Sequence, residues 1–332
     1  MLRMDGFGFV PARSPEEAVA LVQDRPDAVF LAGGTDLLPN LKHRIVRPRT
    51  VIGLGGALPA GWSVGDGVVT IGAGTTLRAL SGLSALPSLA AAAGCVAGPQ
   101  IRNMGTLGGN VLLDTRCLYY NQTAEWRKAL GHCLKAEGTW CHVVGGPKTC
   151  VATQSSDTVP VLLSLGATLR FLGPAGERRL PIRDLYRFNG MDHLKLEKGE
   201  VLTHVEVPLP AAGTRASYQK LRTRGSIDFP QLSVAIRGTF EGAGPSAMAP
   251  DLEVVIGAVN PQPKAIAGID ALAREPLSDA VIAEISATVV ARTRPQGSVH
   301  GDVGWRRQMA GVLVSRALHR LRAGAAVPAE GA

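Results

Sequence analysis

The chain has 332 residues, enough for two or three domains that each bury a hydrophobic core without disulfides. Hydrophobic residues make up 45% of it and charged residues 19%, which excludes an intrinsically disordered protein. The net charge of +8 is spread along the chain and aromatic residues account for only 5%, which argues against a base-stacking nucleic-acid surface. We therefore expect no nucleic-acid partner.

The sequence has no N-terminal apolar run of signal-peptide length and no stretch of 18 uninterrupted apolar residues. We expect a cytoplasmic protein with no membrane association, in a compartment where thiols stay reduced. This expectation matters because four of the five cysteines fall between residues 117 and 150. The same window holds four of the eight Trp and Tyr residues, and it is the strongest local anomaly in the composition.

The N-terminal third predicts short strands and helices in alternation. Ser14 to Glu17 form a capping box that starts a helix, and Ala28 to Leu31 predict a buried strand. A second strand is expected at Val51 to Leu54. From about residue 57 the predicted elements are a strand, a helix capped by Thr76, an Ala-rich helix and a Gly-rich loop, at 68–71, 77–83, 86–97 and 100–110.

A helix and a strand are predicted at Val159 to Leu165 and Ala167 to Leu172. After about residue 176 the pattern indicates a separate α+β domain. Its predicted strands and helices lie at 201–207, 232–236, 252–259, 279–291 and 304–322. The small residues from 323 to 332 predict a disordered tail.

Two glycine-rich turns each precede a helical pattern. The first contains Gly33-Gly34-Thr35-Asp36 and the second Thr106-Leu-Gly-Gly-Asn110. Backbone N–H groups of such turns can converge on an anion at a helix N-terminus, and two of them would suit a pyrophosphate. Tight turns alone would also explain the glycines of either one. No GxGxxG or GxxxxGK motif occurs, so a Rossmann or P-loop site has no support.

Cys117, Cys133, Cys141 and Cys150 are separated by 16, 8 and 9 residues. Four clustered thiols in a reducing compartment indicate a metal site more often than two disulfides. Because no CxxC knuckle is present, the spacing favours an iron–sulfur cluster over zinc, but only slightly. Buried cysteines without a ligand are the third possibility. The adjoining His132 and His142 are expected to be ordinary histidines, and Cys95 is expected in the core.

Asp157 and Lys220 are further candidates for binding. Asp157 precedes a predicted helix, which it could cap, or it could bind a ribose hydroxyl. Lys220 lies in a basic run that extends from Arg215 to Arg224. That run is either solvated surface or a contact for a cofactor or an acidic partner.

Together these motifs resemble the flavoprotein (medium) subunit of the xanthine oxidase family of molybdenum hydroxylases. The resemblance rests on four stretches and covers residues 5 to 320: Leu31-Ala-Gly-Gly-Thr-Asp-Leu37, Gly105 to Asn110, Ser156-Asp157, and Tyr218-x-Lys220 with Asp228-Phe-Pro230. The segment from Asp114 to Cys150 is similar to an insertion in the β subunit of 4-hydroxybenzoyl-CoA reductase. In that subunit the insertion carries a [4Fe–4S] cluster.

The resemblance implies an α+β protein in which a two-subdomain FAD-binding fold of the PCMH type carries a Cys-rich insertion and precedes a C-terminal α+β domain. The implied boundaries are 1–56 and 57–175 for the two subdomains, with the insertion at 114–153, then 176–322 and a tail at 323–332.

The resemblance also implies FAD and a [4Fe–4S] cluster as cofactors, with no catalytic residue on this chain. The cluster ligands would be the four cysteines named above. The implied FAD contacts are Leu31, Ala32, Gly33, Gly34, Thr35, Asp36, Leu37, Val96, Thr106, Leu107, Gly108, Gly109, Asn110, Leu118, Asp157 and Lys220.

The implied partners are a large subunit with molybdopterin, a small subunit with two [2Fe–2S] clusters, and ferredoxin as electron donor, in a dimer of heterotrimers. The reaction would be reductive dehydroxylation of 4-hydroxybenzoyl-CoA to benzoyl-CoA. Two alternatives remain open: the same type of subunit in another molybdenum hydroxylase of aromatic or heterocyclic substrates, and a zinc-containing nucleotide-binding module without a redox role.

Overall fold

The computed structural model describes residues 3–325, which form three units, each built on one β-sheet. The first sheet is parallel, with strand order β1-β3-β2. Ser14 caps its first helix, as the sequence predicts, by accepting from the amide of Glu17 at 3.2 Å. The elements of this first unit are β1 (Gly8–Pro11), α1 (Pro15–Gln23), β2 (Ala28–Leu31), α2 (Leu37–Lys42) and β3 (Thr50–Gly53).

The middle unit contains a five-stranded antiparallel sheet with strand order β4-β5-β8-β6-β7. Its strands are β4 (Trp62–Gly65), β5 (Val68–Gly72), β6 (Thr168–Gly173), β7 (Gly176–Pro181) and β8 (Val201–Pro208). Its helices are α3 (Leu77–Leu80), α4 (Pro87–Gly94), α5 (Pro99–Met104), α6 (Leu107–Val111), α7 (Ala124–Leu130), α8 (Thr158–Ser164) and α9 (Ile182–Leu185). The Ala-rich helix α4 is shorter than predicted, because Cys95 caps it and Ala97 has a positive φ of 41°.

The domain boundary that the sequence analysis placed at residue 176 does not match the arrangement of the strands. The structure places β7 and β8 in the middle sheet, where β8 pairs with both β5 and β6. An apolar run predicts a strand, but the identity of its partner depends on tertiary packing. The middle unit is therefore completed by residues that the sequence pattern assigned to the C-terminal domain.

The C-terminal unit has an antiparallel sheet with strand order β12-β11-β10-β9. Both of its faces are buried, because Ala235 packs into the core of the middle unit while Val234 and Ile236 pack into a second core with the long helices. Its elements are β9 (Thr214–Leu221), β10 (Leu232–Thr239), β11 (Glu253–Gly257), β12 (Lys264–Ala265), α10 (Asp270–Ala273), α11 (Asp279–Arg292) and α12 (Val303–Arg322).

The cysteine segment (residues 114–153) contains little regular structure besides α7 and a 3₁₀ turn at Leu134–Ala136. It is closed at its base by a bridge between Arg116 and Thr153. It also contacts the C-terminal unit, since the amide of Leu118 donates to the carbonyl of Ser298 at 2.9 Å.

Within residues 3–325, no helix combines the length and apolar character needed to cross a membrane. The predicted tail at 323–332 lies outside the described residues except for its first three positions.

Candidate functional site

A central cavity of about 610 Å³ lies where the three units meet, which is within the usual size range of small-molecule sites. Both predicted glycine turns line it, together with residues from the middle sheet and from the loop between β9 and β10. The predicted residues that line it are Ala32, Gly33, Gly34, Thr35, Asp36, Leu37, Val96, Thr106, Gly108, Gly109, Asn110 and Asp157.

The first glycine turn (residues 31–37) requires glycine for two different reasons. Gly34 has a positive φ of 73°, which L side chains rarely adopt. A Cβ at Gly33 would lie 1.8 Å from the carbonyl oxygen of Met104, at the end of α5. The two glycines therefore bring the backbone of this turn against the loop that contains the second glycine turn.

The second glycine turn (residues 106–110) is the start of α6, which Thr106 caps by accepting from the amide of Gly109 at 3.1 Å. Gly108 packs on Ala73, whose Cβ would lie 3.0 Å from an added Cβ. An added Cβ at Gly109 would approach only the Thr106 hydroxyl, at 3.2 Å. Gly108 is therefore the more tightly packed of the two glycines, and a side chain there would require Ala73 to shift.

Asn110 fixes the second turn to the start of α8. Its buried Oδ1 accepts from the hydroxyls of Ser156 and Thr158 at 2.6 and 2.7 Å. Asp157 lies between Ser156 and Thr158 in the sequence and lines the cavity. These hydrogen bonds hold the second glycine turn next to the Asp157 carboxylate.

Asp157 does not cap α8, because its side chain bonds to the C-terminal unit instead. One carboxylate oxygen accepts from Lys220 Nζ at 2.9 Å, and the other accepts from the Tyr218 hydroxyl at 2.5 Å. Lys220 is only 1% exposed and also donates to the carbonyl of Cys95 at 3.0 Å. Lys220 therefore neither lies at the solvated surface nor lines the cavity. Its link to the cavity is its hydrogen bond to Asp157.

The mouth loop (residues 222–230) contributes Ile227, Asp228 and Phe229 to the cavity. Ile227 has a positive φ of 57°, an outlier for a β-branched residue, and is 65% exposed. Arg224 holds the loop, because its amide and Nε donate to the Asp228 carboxylate at 2.7 and 2.8 Å. These hydrogen bonds lower the pKa of Asp228. The sequence resemblance included Asp228 and Phe229 but gave them no role at the cavity.

Two acidic residues of the cavity wall are paired with cations. Asp36 accepts from Arg116 at 2.9 Å, and Asp114 accepts from Lys135 at 2.7 Å. Burial raises the pKa of Asp36, and the neighbouring Arg116 opposes that shift. Sequence analysis missed Asp114 as a cavity residue, because the cation that holds it is 21 residues away and no local motif joins them.

The four clustered cysteines all line one cysteine pocket, together with Tyr119, Tyr120, Lys135 and His142. They are buried and form no disulfide. Burial raises the pKa of Cys117 to about 12. Across residues 3–325, no group of three or more His, Cys, Asp or Glu side chains could hold a metal ion. The thiols therefore share a pocket without meeting at one point, and Cys95 lies apart from them in the core of the middle unit.

Three predicted residues besides Lys220 do not line the cavity, namely Leu31, Leu107 and Leu118. Leu107 is fully buried in the core of the middle unit, because α6 turns it away from the cavity. The two histidines beside the cysteines bond to backbone carbonyls: His132 to Ala136 at 3.0 Å and His142 to Gly131 at 2.9 Å.

The basic run from Arg215 to Arg224 does not form one surface patch. Arg215 donates to the carbonyl of Leu321 at the end of α12, at 2.8 Å. Lys220 is buried, and Arg224 is paired with Asp228. This arrangement gives no support to the predicted contact with an acidic partner at this run.

Comparison with known families gives two matches that together span most of the chain. Residues 5–210 match the FAD binding domain in molybdopterin dehydrogenase, and residues 216–321 match the CO dehydrogenase flavoprotein C-terminal domain. The junction between the two matches falls between β8 and β9, where the middle sheet ends and the C-terminal sheet begins.

Individual relatives agree with these matches. The chain is 34% identical to the aldehyde oxidoreductase FAD-binding subunit PaoB of Escherichia coli K12, over 81% of this chain and 86% of that protein. It is 29% identical to the carbon monoxide dehydrogenase medium chain of Afipia carboxidovorans, over 96% and 97%. A solved structure of reconstituted CO dehydrogenase from Oligotropha carboxidovorans superposes with a TM-score of 0.77 at 26% identity, covering 98% of this chain and 100% of that one. The chain therefore belongs to the FAD-binding medium subunits of the xanthine oxidase and CO dehydrogenase family, and is an oxidoreductase subunit with a PCMH-type fold.

Proposed function

We propose that this flavoprotein is an electron-relay subunit that holds FAD in the central cavity and a [4Fe–4S] cluster in the cysteine pocket. The observation that carries the proposal is the short connection between the two sites. Asp114 lines the cavity and Cys117 lines the pocket, and only two residues of the chain separate them.

The residues around the cavity fit FAD. The pyrophosphate would lie between the two glycine turns, with backbone N–H groups of the first turn as its donors. In the second turn the amides of Gly108 and Gly109 already donate to Ala73 and Thr106, so that turn would contribute its surface to the site. Asn110 belongs to the second turn and Asp157 lines the cavity beside it, so both would lie close to the pyrophosphate. When bound, FAD supplies exchange of one or two electrons, while the protein supplies position and electrostatics.

The cysteine pocket fits an iron–sulfur cluster better than it fits zinc. Structural zinc sites usually hold two of their four ligands on one CxxC turn, and the sequence contains no CxxC motif. In a [4Fe–4S] cluster each iron takes one thiolate, so the four sulfurs surround a volume instead of a point. Four buried thiols that line one pocket and form no disulfide are the donor set that such a cluster requires.

The proposed partners follow from the relatives. A medium chain of the CO dehydrogenase type would assemble with a large subunit that carries molybdopterin and a small subunit that carries [2Fe–2S] clusters. Substrate chemistry would occur on the large subunit. This chain would then need only to bind its cofactors and to hold them at fixed separation from the partner clusters.

Two substrates are in question for the complete enzyme. The cysteine segment resembles the β subunit of 4-hydroxybenzoyl-CoA reductase, which favours reductive dehydroxylation with electrons from ferredoxin. The relative that is 34% identical belongs to an aldehyde oxidoreductase, which favours oxidation of an aldehyde. Either reaction uses the same relay, with electrons flowing in opposite directions.

The experiment compares the isolated chain with the complex of three subunits. The isolated chain should bleach when a strong artificial reductant is added anaerobically, and it should convert neither 4-hydroxybenzoyl-CoA nor benzaldehyde. The complex should convert one of the two, which decides the substrate. Turnover by the isolated chain, freed of its partners, would contradict the relay, and a chain that shows no visible absorbance change would contradict both cofactors.

A further inference from the structure

Two ion pairs span the wall between the central cavity and the cysteine pocket. Arg116, next to Cys117 in the chain, donates to Asp36 on the cavity side at 2.9 Å. Lys135 lines the cysteine pocket and donates to Asp114 of the cavity wall at 2.7 Å. The Arg116–Asp36 pair therefore joins the cysteine segment to the first unit, whereas the Lys135–Asp114 pair lies within the segment and links its pocket to its cavity-lining end.

Arg116 is the one of these two cations whose side chain contacts the first and C-terminal units. Its guanidinium carbon lies 4.0 Å from the centre of the Phe229 ring, and Phe229 belongs to the mouth loop. Its backbone pairs with Thr153 in both directions, at 2.8 and 2.7 Å. This single side chain thus contacts the first unit through Asp36 and the C-terminal unit through Phe229, while its own backbone belongs to the cysteine segment.

The cavity wall depends on this residue because both of its contacts are cavity-lining side chains. The second oxygen of Asp36 already accepts from Asn40 at 2.9 Å, so Asp36 is fixed on one side by α2 and on the other by Arg116. Asp36 is half-buried, so loss of Arg116 would leave its carboxylate in the cavity wall without its cation. Displacement of Arg116 would therefore disturb the first glycine turn and the mouth loop together.

We propose that Arg116 couples flavin binding in the central cavity to the loading of the cysteine pocket. This inference rests on the proposed function, since it requires both cofactors. Four thiolates fixed by a cluster would hold the irregular cysteine segment in place, and Arg116 would be presented to Asp36 and Phe229. With the pocket empty, the Arg116–Thr153 bridge and the hydrogen bonds of Thr115 to Gly190 and of Leu118 to Ser298 would remain, so the segment would loosen without detaching. Because coupling between two binding sites is reciprocal, bound flavin would in turn favour retention of iron.

The test measures the dissociation constant of FAD by flavin fluorescence, anaerobically, on the full-length chain with its iron present and after its removal by a chelator. In the native sequence, iron removal should weaken FAD binding by about tenfold, within the usual range of such couplings. In Arg116→Gln the two constants should be equal and both weak. Arg116→Lys keeps the charge but loses the planar stacking on Phe229, so it should restore part of the difference.

The matched control is Arg187→Gln. Arg187 is an exposed arginine that pairs with Asp192 beside the cysteine segment, and it does not line the cavity. This variant should show the same iron dependence as the native chain. The visible spectrum of bound flavin gives a second readout, because loss of the Asp36–Arg116 pair changes the charges in the cavity wall.

Three results would overturn the coupling. Equal FAD constants with and without iron in the native chain would do so, as would an undiminished iron dependence in Arg116→Gln. A chain that binds FAD but never iron would overturn the proposed cluster and the coupling together, whereas the first two results would overturn the coupling alone.

Discussion

Single glycines set how closely the backbone approaches the central cavity. Gly34 is required for its conformation, with φ of 73°, and Gly33 is required for space, whereas Gly108 packs closely on Ala73. Gly109 has neither constraint, because it is helical and faces only the Thr106 hydroxyl. Sequence analysis treated all four as equivalent, since a Gly-Gly pair does not reveal which member has a neighbour against its Cα.

We expect Gly34→Val to weaken FAD binding at least tenfold, while Gly65→Ala, in β4 and away from the cavity, leaves it unchanged. A left-handed conformation costs an L residue about 1–2 kcal/mol, and a β-branched side chain would also meet Leu38 at 3.2 Å. Flavin content per folded chain, measured after purification, checks both variants. Full occupancy in Gly34→Val would show that the first turn does not act as described, and loss of flavin in Gly65→Ala would show that the effect is not specific to the turn.

At the scale of the elements, the mouth loop is closed by a local ion pair between Arg224 and Asp228. The hydrogen bonds from Arg224 lower the pKa of Asp228. The carboxylate therefore stays charged at pH values at which an ordinary aspartate would be protonated. A depressed pKa contributes stability that is fully present above the unfolded value of about 4 and is lost as pH falls through the folded value. The loop should therefore stay closed until the pH falls below about 4.

In Arg224→Gln, the pKa of Asp228 should return toward its ordinary value, and FAD should be released at a higher pH than from the native chain. Flavin fluorescence followed during acidification measures this release. Arg237→Gln is the control, because Arg237 makes a similar pair with Asp251 away from the cavity, at 2.6 Å. Identical release curves for Arg224→Gln and Arg237→Gln would rule out this role of the loop.

The cysteine segment shows what element prediction can and cannot provide. Its four cysteines indicated a common site from their number and clustering alone, and they do line one pocket. The contacts of Arg116 with Asp36 and Phe229 were not predictable, because those partners lie 80 and 113 residues away along the chain. The partner strands of β8 were hidden for the same reason.

At the scale of the whole molecule, the middle and C-terminal units share a core and one buried ion pair. Tyr218, Ala235 and Val255 extend the middle core onto the C-terminal sheet. Lys220 on β9 and Asp157 before α8 are both buried and bonded to each other. The corner of the cavity that contains Asp157 therefore depends on the docking of the two units.

We expect Lys220→Met to destabilise the chain by about 3–5 kcal/mol, because it leaves the Asp157 carboxylate buried without its cation. Urea unfolding, followed by circular dichroism, gives the free energy of unfolding. The double variant with Asp157→Asn should recover part of the loss, since the amide needs no counter-charge. An additive effect of the two substitutions would contradict a direct interaction between these side chains.

The general fold could be predicted from the sequence, because the resemblance to the flavoprotein family rested on short sequence motifs in the two glycine turns and around Lys220. The PCMH-type fold and the C-terminal domain are confirmed. Whether Lys220 was surface or buried was not accessible, because a basic run has the same composition in either case. Its burial depends on Asp157, 63 residues away in the sequence.

The central claim, two redox cofactors on one chain, is tested most directly by the stoichiometry of the anaerobically purified protein. The account predicts one FAD, about four irons and four acid-labile sulfides per chain, given one thiolate for each iron. Cys133→Ser or Cys141→Ser should lose most of the iron, whereas Cys95→Ser, which changes a thiol in the middle core, should retain it. Stoichiometric zinc in place of iron, or loss of iron in Cys95→Ser but not in Cys133→Ser, would contradict the assignment of the cysteine pocket.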